Sequence, residues 1–126
     1  MVAISNSIAA LITILPALSS AWTVSVWGSQ NTCGGPGGPD TNSGSGEAGV
    51  SSDCAALGFF GIKAIQIQDW DDGCELVIYR ESNCSDEPPL VTYSKTSNWP
   101  TEGAATCIND QGTALAEAFN FKYICA

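Results

Sequence analysis

The chain contains no histidine, and only four lysines and arginines stand against thirteen aspartates and glutamates. Each scarcity excludes a class of function. Without histidine there is no Ser-His-Asp or Cys-His nucleophilic site. A formal net charge of −9 repels nucleic-acid phosphates and anionic lipid, so neither is expected as a partner. So few bases leave no cationic face for membrane lysis. Zinc needs closely paired cysteines or histidines, and the six cysteines are spaced too widely. The apolar run Ile8 to Leu18, interrupted by Thr13 and Pro16, is too short to span a bilayer.

What that run resembles is the core of a secretory leader. Ser19 and Ala21 place small residues before a cut at Trp22, so residues 1–21 are expected to be a signal peptide. A buried N-terminal helix is the alternative, and Pro16 and the lack of a polar face count against it. Removing 21 of the 126 residues leaves a single domain of 105, residues 22–126, which keeps every charged side chain and all six cysteines. An even cysteine count in a short secreted chain implies three disulfides. A domain this small buries only about 65% of its unfolded surface. Three cross-links at roughly 2–4 kcal/mol each are then a large share of its stability.

The domain reads as strands. Trp22 to Trp27 alternates large apolar residues with Thr and Ser, the mark of a half-buried strand. Between Cys33 and Cys54, seven of twenty residues are Gly and two are Pro, so 34–53 is expected to be a flexible loop. Ile62 to Ile67 and Glu75 to Tyr79 flank Asp71-Asp72-Gly73, which predicts a β-hairpin. Leu90 to Tyr93, Ala105 to Ile108 and Phe119 to Cys125 add strands, and Thr113 to Ala118 allows one or two helical turns. The expected fold is all-β, a small antiparallel β-sandwich or Greek key of about six short strands.

Reach limits how the cysteines pair. An extended strand between Cys74 and Cys84 separates them by about 20 Å. A disulfide needs Cα atoms within about 7 Å. Reach thus excludes only Cys74–Cys84; of the fifteen connectivities that six cysteines permit, the expected set is Cys33–Cys54 around the glycine-rich loop, Cys74–Cys125 at the hairpin turn, and Cys84–Cys107.

Several residues carry candidate chemistry. Asp69, Asp71, Asp72 and Glu75 offer oxygens for calcium or a paired-carboxylate glycosidase, but a solvated acidic turn is the favoured account of them. The glycine falls too early for an EF-hand. Trp70, beside the turn, and Trp99, before Pro100, are the candidates for sugar stacking; the alternative is that they cap the ends of a small core. Asn83-Cys84-Ser85 is an N-glycosylation sequon with a cysteine at its centre.

The pattern IKAIQI…GCELVIYRESNC…C…FNFKYIC resembles small secreted cysteine-rich proteins of filamentous fungi. The shared frame is Ile62–Ile67, Cys74, Glu75–Tyr79, Cys84-Ser85 and Phe119–Cys125, over roughly the last 65 residues. The resemblance implies an extracellular protein of the candidate-effector type. Tyr79 to Cys84 is also similar to a corner of βγ-crystallin and killer-toxin Greek keys. In that family Asn109, Asp110 and Thr113 would belong to a calcium motif, whose final Ser is here Ala114. The expectation is a secreted, non-enzymatic, monomeric protein without metal or cofactor that binds an extracellular protein or glycan. A lectin-like module using Trp70 and Trp99, and a killer-toxin-like antimicrobial, are the alternatives.

Overall fold

The computed structural model describes residues 21–34, 38–95, 99–109 and 114–126. The expected leader thus lies, apart from Ala21, outside the described residues, as do Asp110 and Thr113 of the calcium motif. The described residues form nine strands: β1 Trp22–Trp27, β2 Thr41–Gly46, β3 Ala55–Ala56, β4 Ala64–Gln68, β5 Cys74–Tyr79, β6 Val91–Ser94, β7 Thr101–Glu102, β8 Ala105–Ile108 and β9 Asn120–Cys125. A short 3-10 turn at Ala114–Glu117 stands where helical turns were expected. The strands make two antiparallel sheets, β2-β1-β4-β8-β7 and β3-β9-β5-β6. The protein is an all-β sandwich stapled by three disulfides.

Period-two alternation decides which side chains meet. Trp22, Val24 and Val26 of β1 face inward, in register with Ile67 and Ile65 of β4. Leu76 and Ile78 of β5 align with Tyr123 and Phe121 of β9 on the facing sheet. These side chains belong to one buried cluster. Trp22 stacks on Tyr123 with ring centroids 4.3 Å apart, and its Nε1 donates to the Val50 carbonyl at 3.0 Å.

The expected hairpin is not one. β4 pairs with β1 and β8, whereas β5 pairs with β6 and β9, so the Asp-Asp-Gly connection crosses between sheets. Of the turn residues Gly73 takes the positive φ expected of it, 79°, while the aspartate with positive φ is Asp69 (55°), ahead of the expected turn. The two apolar strands bury their faces against each other across the core, which hydrogen-bonding side by side would not achieve. Trp70 fills the arch, 3% exposed, and its Nε1 donates to the Cys74 carbonyl at 2.9 Å.

The glycine-rich segment also differs from expectation, because Thr41–Gly46 is an edge strand beside β1. Gly46 sits opposite Trp22 and Gly44 opposite Val24, on the inward side of the sheet. A Cβ at Gly46 would lie 2.7 Å from the Trp22 ring, and one at Gly44 3.0 Å from the Phe121 ring. The strand has no core side chains of its own because aromatic rings from its neighbours occupy their space.

This topology reassigns two disulfides. Cys74 pairs with Cys125, its cross-strand partner, with Cα atoms 4.0 Å apart. Cys33 pairs with Cys107 and not with Cys54; Cys84 pairs with Cys54 and not with Cys107. With β2 placed beside β1, Cys33 lies in the connection between two paired strands and does not close the glycine-rich loop. Cys107 is aligned with Gln66 in the first sheet, away from the core-facing Ile65–Ile108 pair. Cys54 immediately precedes β3 in the second sheet, where Cys84 packs with Val77 and Tyr79.

Candidate binding surface

The connection from β3 to β4 reads Leu57-Gly58-Phe59-Phe60-Gly61-Ile62-Lys63. Leu57 and Ile62 are fully buried, and the two glycines adopt φ 79° and 69°. Positive φ at both ends turns the chain sharply, a conformation that side chains resist. The two phenylalanines are thereby left outside the core: Phe59 is 37% exposed and Phe60 74%. Phe59 lies flat against Gly28, whose missing side chain makes room for the ring. Phe60 packs against Phe119, itself 39% exposed, with ring centroids 5.0 Å apart.

The backbone under these rings is tied down. Leu57 N–H donates to the Phe119 carbonyl at 3.0 Å, and Phe119 N–H donates to the Tyr79 carbonyl at 2.9 Å. Lys63 N–H donates to the Trp27 carbonyl at 2.8 Å. The patch therefore joins loop 57–63 to the start of β9 and the ends of β1 and β5. At its edge Arg80 Nε lies 3.2 Å from Glu117 Oε1, an exposed ion pair. Adjacent exposed aromatics on a rigid support are a recognised mark of an interaction site.

The residues singled out in the sequence occupy other places. Trp70 is buried in the arch, and Trp99 is half-buried with its ring edge-on to Tyr93 at 5.6 Å. They cap the core and do not form a paired stacking platform. The acidic arch borders an open cleft of about 490 Å³ lined by Asp69, Asp71, Asp72 and Lys95 among others. Two of its carboxylates, those of Asp71 and Asp72, have partners. Tyr123 Oη donates to Asp71 Oδ2 at 2.8 Å and accepts from the Asp71 N–H at 2.7 Å. Burial is the main cause that pushes the Tyr123 hydroxyl well above the usual tyrosine range, aided by the charge of Asp71. Asp72 pairs with Lys95 at 3.2 Å, and Glu75 Oε2 accepts from Ser94 Oγ at 3.1 Å.

Among the described residues, the one cluster with three potential metal ligands is Asp71, Cys74 and Cys125. Its two sulfurs are joined to each other, so no thiolate is on offer. Asn109, the described member of the calcium motif, follows the end of β8 and borders a cleft beside the Cys33–Cys107 bridge.

No protein-family model matches the chain, and neither a curated protein nor a solved structure matches it. The phenylalanine patch was not among the sequence candidates, since Leu57 to Phe60 reads only as an apolar run ahead of the strand expected from Ile62. Its signal was the pair of glycines bracketing Phe59 and Phe60, which marks a loop tip.

Proposed function

We propose that the chain is a secreted, non-enzymatic protein of the candidate-effector type, binding an extracellular protein partner through Phe59, Phe60 and Phe119. Three disulfides fit an oxidising, extracellular setting. No helix among the described residues is long and apolar enough to cross a membrane. The observation that carries the reading is Phe60, 74% exposed and held against a second exposed ring by a bonded backbone. Burying a ring of this size contributes about 1.5–3 kcal/mol. A pre-ordered loop also has little entropy left to lose on binding. The frame shared with secreted fungal proteins makes a host surface protein or protease the partner class to examine first.

The test is capture from the extracellular fluid of candidate hosts by folded, oxidised protein. The comparison is between the natural chain, the double variant Phe60→Ser/Phe119→Ser, and Val50→Ser. Val50 is 49% exposed and lies near Trp22, at the far end of β1 from the patch. Loss of an aromatic anchor costs about 2 kcal/mol or more, or roughly 30-fold in affinity. The double variant should lose a partner that the natural chain and Val50→Ser both retain. Equal recovery by all three would discard the patch as the binding surface.

A further inference from the structure

We propose that Asn83 is an N-glycosylation site, and that the folded protein carries its glycan in solvent on the loop after β5. The inference rests on the reading that the chain enters a eukaryotic secretory pathway. The sequon Asn83-Cys84-Ser85 has an unusual centre, a cysteine held in a disulfide. That cysteine decides whether the site is usable in the finished fold. Cys84 has φ 55° and turns its side chain inward, where it is 7% exposed and packs with Val77 and Tyr79. Its neighbours on both sides, Asn83 and Ser85, are exposed. The half-cystine is thus buried while the acceptor residue on its N-terminal side is exposed.

The local bonding leaves the correct atom free. Ser85 Oγ donates to Asn83 Oδ1, which occupies the amide oxygen, while Nδ2 makes no hydrogen bond among the described residues. Nδ2 is the atom that must be free to carry the sugar. In the transfer, Nδ2 attacks the anomeric carbon of a lipid-diphosphate-linked oligosaccharide. The C–N bond forms as the anomeric C–O bond breaks; its electron pair leaves with the lipid diphosphate and the amide proton passes to a base of the transferase. No oxidant or reductant is required. Transfer before the Cys54–Cys84 bridge closes gives the enzyme an extended chain, and the later fold keeps the product in solvent.

The sequon loop is anchored to the second sheet. Asn120 Nδ2 donates to the Ser82 carbonyl at 2.8 Å, and Asn120 is the register partner of Tyr79. The loop is thereby tied to the outer face of that sheet, where Val77, Tyr79 and Cys84 pack, and a glycan on Asn83 adds bulk and hydrophilicity there.

Two forms expressed in yeast test the proposal: the full chain, and residues 22–126 behind a proven yeast leader. Intact mass is read before and after peptide N-glycosidase, and the peptide containing position 83 is sequenced. The expected result is a discrete mass increment that the enzyme removes, converting Asn83 to Asp. It should be absent in Asn83→Gln and Ser85→Ala and present in Ser85→Thr. If the full chain stays inside the cell while the leader-swapped form is glycosylated, the secretion reading fails for residues 1–21 and the Asn83 assignment stands. A leader-swapped form that is secreted at unmodified mass overturns the glycosylation site whatever the full chain does.

Discussion

Gly46 is the residue on which the first sheet closes over the core. The Trp22 ring occupies the space where a Gly46 side chain would stand, and the same ring stacks on Tyr123 of the opposite sheet. A methyl there must push the indole or the edge strand aside, and overpacking of this kind costs about 1–3 kcal/mol. Gly46→Ala should therefore lower the urea midpoint by that amount of stability at unchanged slope. A midpoint equal to the natural chain's would mean that the ring moves freely.

Tyr123 offers a second test at this scale. Its folded pKa is raised, so its contribution to stability is fully present below the unfolded value of about 10 and is lost as pH rises through the folded value. Stability should fall between about pH 9 and about pH 11. The fall should be shallower in Tyr123→Phe, which has no proton to lose there. Some slope remains from Tyr79, whose hydroxyl is raised mainly by burial and further by the charges of Asp86 and Glu87. Identical slopes by chemical denaturation at the two pH values would refute the assignment.

At the scale of the elements, the turn after β5 depends on one carboxylate. Asp86 Oδ2 accepts from the Arg80 N–H at 2.8 Å and Oδ1 from the Glu81 N–H at 3.0 Å. Desolvation is the largest single effect and raises its pKa, but the backbone donors and the charge of Arg80 together outweigh it and hold the pKa below the usual range. A depressed pKa means that the stabilisation is present above the unfolded value of about 3.9 and is lost as pH falls through the folded one. Hydrogen-exchange protection of the Arg80 and Glu81 amides should fall in Asp86→Asn at neutral pH. In the natural chain it should fall only in acid. Protection that ignores both changes would show that the loop is held by its disulfide alone.

The elements also show where sequence reasoning succeeds and where it stops. Strands with large side chains at period two, such as β1 and β9, are legible because burial of one face needs no knowledge of the partner. Pairing is not legible from the strand itself. Asp71-Asp72-Gly73 reverses the chain equally well within a sheet or between sheets, and what decides is that Ile65, Ile67, Leu76 and Ile78 fill a common core. β2 is hidden for a related reason. Its inward positions are glycines, and the apolar groups that order it belong to Trp22 and Phe121. The phenylalanine patch lies in a run of apolar residues, left outside the core by two left-handed glycines and packed against the distant Phe119.

For the whole molecule, the disulfides distribute over the two sheets. Cys33–Cys107 ties the β1–β2 connection to β8 in the first sheet, with a sequence separation of 74. Cys54–Cys84 ties the lead into β3 to the loop after β5, and Cys74–Cys125 joins β5 to β9. The last two brace the second sheet, to whose β9 Phe119 leads and against whose ends the phenylalanine loop is bonded. Under the proposed function, the net charge of −9 disfavours self-association, and the exposed aromatic cluster among the described residues is the surface offered to a partner.

The most direct test is side-chain footprinting of the folded, oxidised protein, free and with its captured partner, by a reagent that labels solvent-exposed carbon. Binding through the patch requires that Phe59, Phe60 and Phe119 lose label in the complex while Val50 and the acidic arch at residues 69–72 do not. Protection of the arch with undiminished labelling of the three phenylalanines would contradict it.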